Sequence, residues 1–131
     1  MKSQLIELVP STKYEVEKAA QLVQLGWPEV APVMPKIVEW LQDPNWPVAQ
    51  VFFPFAASVG TPMAPYLREV LSGQDNEWKY SLLEQLVSVS EELQQALLPE
   101  LNRLAAQGNS LGQDVDLRQL AGEILKARSS P

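Results

Sequence analysis

The feature that most constrains the fold is an internal repeat of about thirty residues. The string PKIVEWL at residues 35–41 matches PYLREVL at 65–71, an offset of 30, and residues 99–105 repeat the proline and the apolar spacing 34 positions further on. After each first segment comes a turn, where Asp43 and Trp46 correspond to Asp75 and Trp78 at an offset of 32. Repeats of this length indicate one supersecondary unit that is copied and stacked.

The apolar residues inside each unit recur at every third and fourth position, which is typical of amphipathic helices, and no segment alternates at every second position. Proline and glycine lie at the ends of the apolar segments, where they start and stop helices. Residues 107–113 are expected to form the one long loop. Seven helices are therefore predicted, over about 12–26, 29–42, 46–59, 61–72, 75–87, 90–106 and around 117–125.

Several polar residues have the spacing of helix caps. Thr12 and Glu15 fit a capping box, Gly26 is placed to end the first helix, and Ser90 precedes the sixth. The seventh helix is expected to begin at Asp114 or Asp116. Three prolines fall inside predicted helices. Pro35 either kinks its helix or marks a fresh start, Pro54 is expected to bend its helix, and Pro99 lies in the interior of the sixth helix.

The repeated unit is interpreted as a helical hairpin that cannot bury its apolar face alone. Stacking of successive hairpins buries those faces and produces a short α-solenoid. A chain of 131 residues is the size of one ordinary domain, so residues 1–131 are assigned to a single all-α domain of about seven helices.

Composition narrows the possible chemistry. The chain contains no His and no Cys, which excludes disulfides, cysteine nucleophiles, Ser-His-Asp triads and zinc sites built on nitrogen or sulfur. Ten basic against sixteen acidic residues give a net charge of −6, the wrong sign for a nucleic-acid surface. The only glycine-rich stretch, residues 108–112, lacks the lysine of a phosphate-binding loop. We therefore expect no cofactor, no metal and no nucleic-acid partner.

The N-terminal residues do not resemble a secretory signal, because Glu7 and Pro10 interrupt the apolar stretch and no small-residue cleavage site follows. The longest apolar run, residues 51–57, is far shorter than the roughly 20 residues of a membrane span. A cytoplasmic protein without a membrane partner is the resulting expectation.

The ten-residue run at 40–49, WLQDPNWPVA, together with Trp78-Lys79-Tyr80, resembles the signature of a small, uncharacterised bacterial family of HEAT-like helical domains. The resemblance covers roughly residues 9–125. It implies a compact, right-handed α-solenoid of HEAT-like hairpins and, by analogy, a protein-binding role such as that of an immunity or accessory protein.

The sequence thus predicts a noncatalytic module that binds another protein, with a basic surface, through a groove of the solenoid. The tryptophans of the two turns either wedge between stacked hairpins or anchor the partner. Asp43 and Asp75 either cap the helices that follow or, with Glu77 or Lys79, form the polar rim of a pocket. The candidate partner-binding residues lie near the two turns: Asp43, Asn45, Trp46, Asn76, Trp78, Lys79 and Tyr80.

Two other classes of function stay open. A small enzyme or ligand-binding protein would use Asp43, Asp75 or Glu39 with Tyr80 and Lys79 in a pocket between hairpins, and a deep, enclosed cavity would favour it. An adaptor or oligomerising element would instead present a large apolar surface patch.

Overall fold

The computed structural model describes residues 2–106 and 115–129, and within these ranges all regular secondary structure is helical. The all-α prediction is therefore confirmed for this part of the chain. Single 3₁₀ turns occupy Ala31–Val33, Trp40–Gln42, Thr61–Met63 and Val87–Val89. The α-helices are α1 Lys2–Leu8, α2 Val16–Leu25, α3 Met34–Glu39, α4 Pro47–Val59, α5 Ala64–Leu71, α6 Asn76–Gln85, α7 Glu91–Ala96, α8 Leu98–Ala106 and α9 Val115–Ser129.

The spacing of the repeat is present in the first helix of each unit. Helices α3, α5 and α8 begin at Met34, Ala64 and Leu98, which are separated by the offsets of 30 and 34 that the repeat predicts. In each of them the second residue is a proline. A proline is tolerated there because the first turn of a helix has N–H groups without an intrahelical acceptor, so none is lost.

The structure divides some of the predicted helices. The helix predicted over 90–106 is two helices, α7 and α8, which are separated at Leu97 (φ −106°, ψ 16°). Pro99 explains the break, because it has no N–H to donate to the carbonyl of Gln95 and its ring would collide with that carbonyl. Residues 29–42 and 61–72 likewise begin as 3₁₀ turns before α3 and α5. Pro54, by contrast, lies inside α4, on its exposed side.

Helix α1 is not among the predicted helices. The sequence predicts seven helices, and the described residues form nine α-helices. The predicted loop at 107–113 and the candidate cap Asp114 lie outside the described residues. Asp116 belongs to α9 rather than preceding it.

Three predicted caps are confirmed. Gly26 ends α2 with φ 76°, the left-handed region that favours glycine, and its N–H donates to the Leu22 carbonyl at 3.1 Å. The Ser90 hydroxyl accepts from the Leu93 N–H at 3.2 Å, and one oxygen of Asp75 accepts from the Trp78 N–H at 3.0 Å. The Thr12–Glu15 box is half formed, since Glu15 accepts from the Thr12 N–H at 3.2 Å while α2 begins only at Val16.

The helices pack side by side around a continuous apolar core. Helix α2 lies on α4, α3 on α5, α5 on α6, and α9 on both α6 and α8. The largest core side chains that are fully buried include Leu22, Phe52, Leu67, Leu82 and Leu93. None of the helices in the described ranges has both the length and the hydropathy needed to cross a membrane.

Candidate functional site

Two hydrogen bonds fix the position of α6 against the first repeat. The indole N–H of Trp78 donates to the Val38 carbonyl at 3.2 Å, and the Ser81 hydroxyl donates to the Leu41 carbonyl at 2.7 Å. The two donor residues are three positions apart in the chain, and so are the two acceptor residues. One face of α6 therefore runs along the end of α3 and the 3₁₀ turn that follows it. The turn that carries Asp43 consequently lies beside the turn that carries Asp75.

An open groove of about 700 Å³ lies between these turns. We call it the acidic groove, because its walls carry the carboxylates of Asp43, Asp75, Glu77 and Glu84. None of the lining residues that the structure describes is Lys or Arg. Three of the four acidic residues are exposed and Asp43 is half-buried, so the groove is accessible to a large partner as well as to a small one.

Hydrogen bonds to nearby backbone N–H groups orient the carboxylates of Asp43 and Asp75. One oxygen of Asp43 accepts from the Asn45 N–H at 2.8 Å in an Asx turn, and Asp75 caps α6. The N-terminus of α6 is the positive end of its dipole, which favours negative charge at Asp75 and Glu77. The carboxylates of Asp43 and Asp75 are therefore oriented by hydrogen bonds to the backbone, and the exposed Glu77 lies in the first turn of α6.

The carboxylates are spread rather than clustered. Across residues 2–106 and 115–129 no group of three or more acidic side chains lies close enough to hold a metal ion. Charges distributed along a groove match an extended, positively charged segment better than a single ion.

The structure brings together part of the predicted set. Asp43, Asn76 and Tyr80 line the acidic groove. Lys79 does not line it and is only 8% exposed, because it is about 200° round the helix from Glu77 and so lies on the side of α6 opposite the groove. The exposed Asn45 and the half-buried Trp46 line neither this groove nor the second one described below.

The two repeat tryptophans have different surroundings. Trp46 is the N-cap residue of α4 and packs edge-to-face on Trp40, with ring centroids 5.5 Å apart, whereas Trp78 is the third residue of α6. The prediction that Asp43 caps the following helix is wrong, since α4 begins four residues later at Pro47. The fixed φ of proline suits the first position of a helix and places the start there.

Glu84 lines the acidic groove but is not among the predicted partner-binding residues. It lies seven residues after Glu77, with Tyr80 and Ser81 between them, so the four residues form one polar stripe on α6. That spacing is visible in the sequence and could have identified the wall.

A second, smaller groove of about 420 Å³ lies on the other side of Asp75. We call it the apolar groove, because Pro35, Val38, Tyr66, Val70 and Trp78 form its walls. Gln74 and Asp75 line both grooves, so the two are adjacent on the surface. Trp78, one of the predicted partner-binding residues, therefore lines the apolar groove and not the acidic groove.

The sequence model of one protein family, described as a domain of unknown function (DUF5071), matches residues 8–125. This range is nearly the same as the one over which the resemblance to an uncharacterised family was seen. The description of that family gives neither a HEAT-like character nor the ten-residue signature. No curated protein matches the chain.

Proposed function

The chain belongs to DUF5071, a family of unknown function, and from the surface of the chain we propose that it is a noncatalytic protein-binding module. In this proposal the acidic groove takes a Lys- or Arg-rich segment of a partner protein, and the hairpins stack as a short HEAT-like α-solenoid. The observation that carries the proposal is that four carboxylates, and no Lys or Arg among the described residues, line the acidic groove.

The stacking part draws support from contacts between corresponding helices. Helix α3 packs on α5, and the hydrogen bonds of Trp78 and Ser81 join the second unit to the first. In such an arrangement the inter-helix turns lie side by side and form an extended surface, which repeat proteins use for binding.

The charge pattern supports a basic partner. Opposite charges attract within a Debye length of about 8 Å at physiological salt, so four carboxylates in one groove would steer a cationic segment into it. An immunity or accessory role would be one biological setting for such binding.

The alternative is a small enzyme that uses Asp43, Asp75 or Glu39 with Tyr80 and Lys79. Asp43, Asp75 and Tyr80 do line one groove, which favours this candidate. Glu39 and Lys79 are not part of that lining, and the exposed Asp75, Glu77 and Glu84 leave the groove open to water. The geometry therefore supports binding of a protein segment more than enclosed catalysis.

The test compares a groove variant with a charge-matched control. Glu77→Gln/Glu84→Gln removes two exposed carboxylates from α6, and Glu17→Gln/Glu29→Gln removes two exposed carboxylates that line neither groove. The probe is a labelled synthetic peptide rich in arginine and serine, and binding is measured by fluorescence anisotropy at several salt concentrations.

Each exposed ion pair contributes about 0.2–1 kcal/mol, so the groove variant should bind about 2- to 30-fold more weakly than the wild type. The control should bind nearly as well as the wild type, and all binding should weaken as salt rises. Equal weakening of both variants would mean that only net charge matters. The groove proposal would then be wrong.

A further inference from the structure

The apolar groove has rigid aromatic walls. The ring of Trp78 is fixed by its hydrogen bond to the Val38 carbonyl, and the ring of Tyr66 packs edge-to-face on Trp27 with centroids 6.5 Å apart. Both aromatic residues are half-buried, so part of each faces outward. Because the contacts that hold the rings belong to the protein itself, an incoming side chain would not have to order them.

The floor and the far wall of the groove are aliphatic. Val38 and Val70 are 3% and 9% exposed, and the ring of Pro35 lies on the exposed side. A volume of about 420 Å³ is within the range of about 300–1,000 Å³ that ligand pockets occupy. An apolar side chain bound here would be transferred from water to the apolar walls of the groove, which is energetically favourable.

Carboxylates surround this apolar centre. Glu39, Glu69 and Asp75 line the same groove, and its described lining residues include no Lys or Arg. The nearby Lys36 approaches Glu39 only at 4.0 Å, in an exposed pair three residues apart on one helix. Such a pair is weak, and it leaves the rim negative.

We propose that the apolar groove receives a hydrophobic side chain that is flanked by Lys or Arg on the same partner segment. This inference rests on the proposed function, because the basic segment in the acidic groove continues across Gln74 and Asp75 into the apolar groove. The apolar walls bind the hydrophobic side chain, and the rim carboxylates pair with its basic neighbours. The recognised motif is therefore basic and hydrophobic, rather than merely basic.

The first experiment uses two synthetic peptides of equal length and charge. One has phenylalanine between its arginines, and the other has serine at that place. Burial of the phenyl ring should make the first peptide bind about tenfold or more tightly to the wild type. Tyr66→Ala should bind the two peptides equally, because one aromatic wall is missing. Glu77→Gln/Glu84→Gln should weaken both peptides by the same factor and keep the preference.

The outcomes separate this inference from the proposed function. Equal binding of both peptides to the wild type would overturn the hydrophobic pocket and leave the acidic groove standing. Failure of both peptides to bind would overturn both proposals.

The second experiment measures binding on the wild-type chain. The protein is labelled with 5-fluorotryptophan, and the ¹⁹F resonance of Trp78 is assigned from Trp78→Phe. The phenylalanine peptide should shift this resonance, while those of Trp40 and Trp46, which line neither groove, should stay in place. An unshifted Trp78 resonance at saturation would overturn the inference. A shift caused by raising the protein concentration alone would identify a second copy of the chain as the occupant and would also overturn it.

Discussion

The indole N–H of Trp78 and the carbonyl of Val38, forty residues apart in the chain, are joined by a hydrogen bond of 3.2 Å. The same helix repeats the arrangement one turn later, where Ser81 donates to Leu41. These two bonds set the position of α6 against the end of α3 and the 3₁₀ turn Trp40–Gln42, and both grooves depend on that position.

Trp78→Phe should lower the free energy of unfolding by about 1 kcal/mol, because the ring is kept in part while its hydrogen bond to the Val38 carbonyl is lost. Ser81→Ala should lower it by a similar or larger amount, since the Leu41 carbonyl then loses its partner in a buried place. Urea denaturation followed by circular dichroism measures both. If neither variant changed the midpoint, the two bonds would not contribute to holding α6.

Gly60→Ala should destabilise the protein more than Gly26→Ala, and the pair forms a matched comparison. Both glycines have a positive φ, 73° and 76°, so an alanine would be strained at either position. A methyl group at Gly60 would collide with the carboxylate of Glu92, whereas at Gly26 the nearest atom is 3.9 Å away. Displacing Glu92 would break its bonds to the Thr61 N–H and hydroxyl, at 3.1 and 3.0 Å.

The additional cost at Gly60 should be about 1–2 kcal/mol, the amount expected for two lost hydrogen bonds at an exposed site. Thermal unfolding of the two alanine variants gives this difference. In a Glu92→Ala background, the difference between the two positions should disappear. A difference that persists there would assign the cost to backbone strain alone.

Arg68→Leu should be more destabilising than Arg68→Leu/Glu100→Leu. The Arg68 guanidinium donates to a Glu100 oxygen at 3.1 Å and to the Ala96 carbonyl at 3.1 Å. Glu100 is 6% exposed, and its other oxygen has no hydrogen-bond partner in the described structure. Removal of Arg68 would leave a buried carboxylate without its cation, which costs about 2 kcal/mol or more.

Replacing both residues with leucine removes the buried charge as well, so the double variant should regain part of the lost stability. Chemical denaturation of the two single variants and the double variant completes the cycle. Lys36→Leu is the control, because its pair with Glu39 is exposed and should be worth little. A double variant less stable than Arg68→Leu would contradict this account.

Glu15 should make stability depend on pH in the acid range. The N–H and then the hydroxyl of Ser11, followed by the N–H of Thr12, donate to its carboxylate and lower its pKa below the ordinary 4.5. A carboxyl whose pKa is lower in the folded state stabilises that state above pH 4.5, and this contribution is lost as pH falls through the folded value.

The melting temperature of Glu15→Gln should therefore be below that of the wild type at neutral pH and should approach it in strong acid. Glu17→Gln is the control, since Glu17 accepts no hydrogen bond in the described residues. A constant difference between wild type and Glu15→Gln at all pH values would show that the charge of Glu15 has no role.

The spacing of prolines and apolar residues was enough to predict the helical class, the start of α4 and the offsets between α3, α5 and α8. These features depend on local physics, because a proline fits the first turn of a helix and a glycine with positive φ ends one. The apolar stripe of residues 93–104, by contrast, runs through both α7 and α8 and predicted one helix where Pro99 separates two. The stripe stays on one side across the break, where Leu97 is fully buried.

The grooves depended on the tertiary structure. The repeat predicted that Asp43 corresponds to Asp75 and Trp46 to Trp78. However, α4 begins at Pro47, four residues after Asp43, whereas α6 begins directly after Asp75, so the members of each pair have different contacts. Only the packing of α6 on the 3₁₀ turn after α3 decided that Asp43 and Tyr80 line one groove and that Trp78 lines the neighbouring one. Sequence determines which residues lie on one face of a helix. Which other helix that face meets is decided by contacts forty residues away, which no local pattern contains.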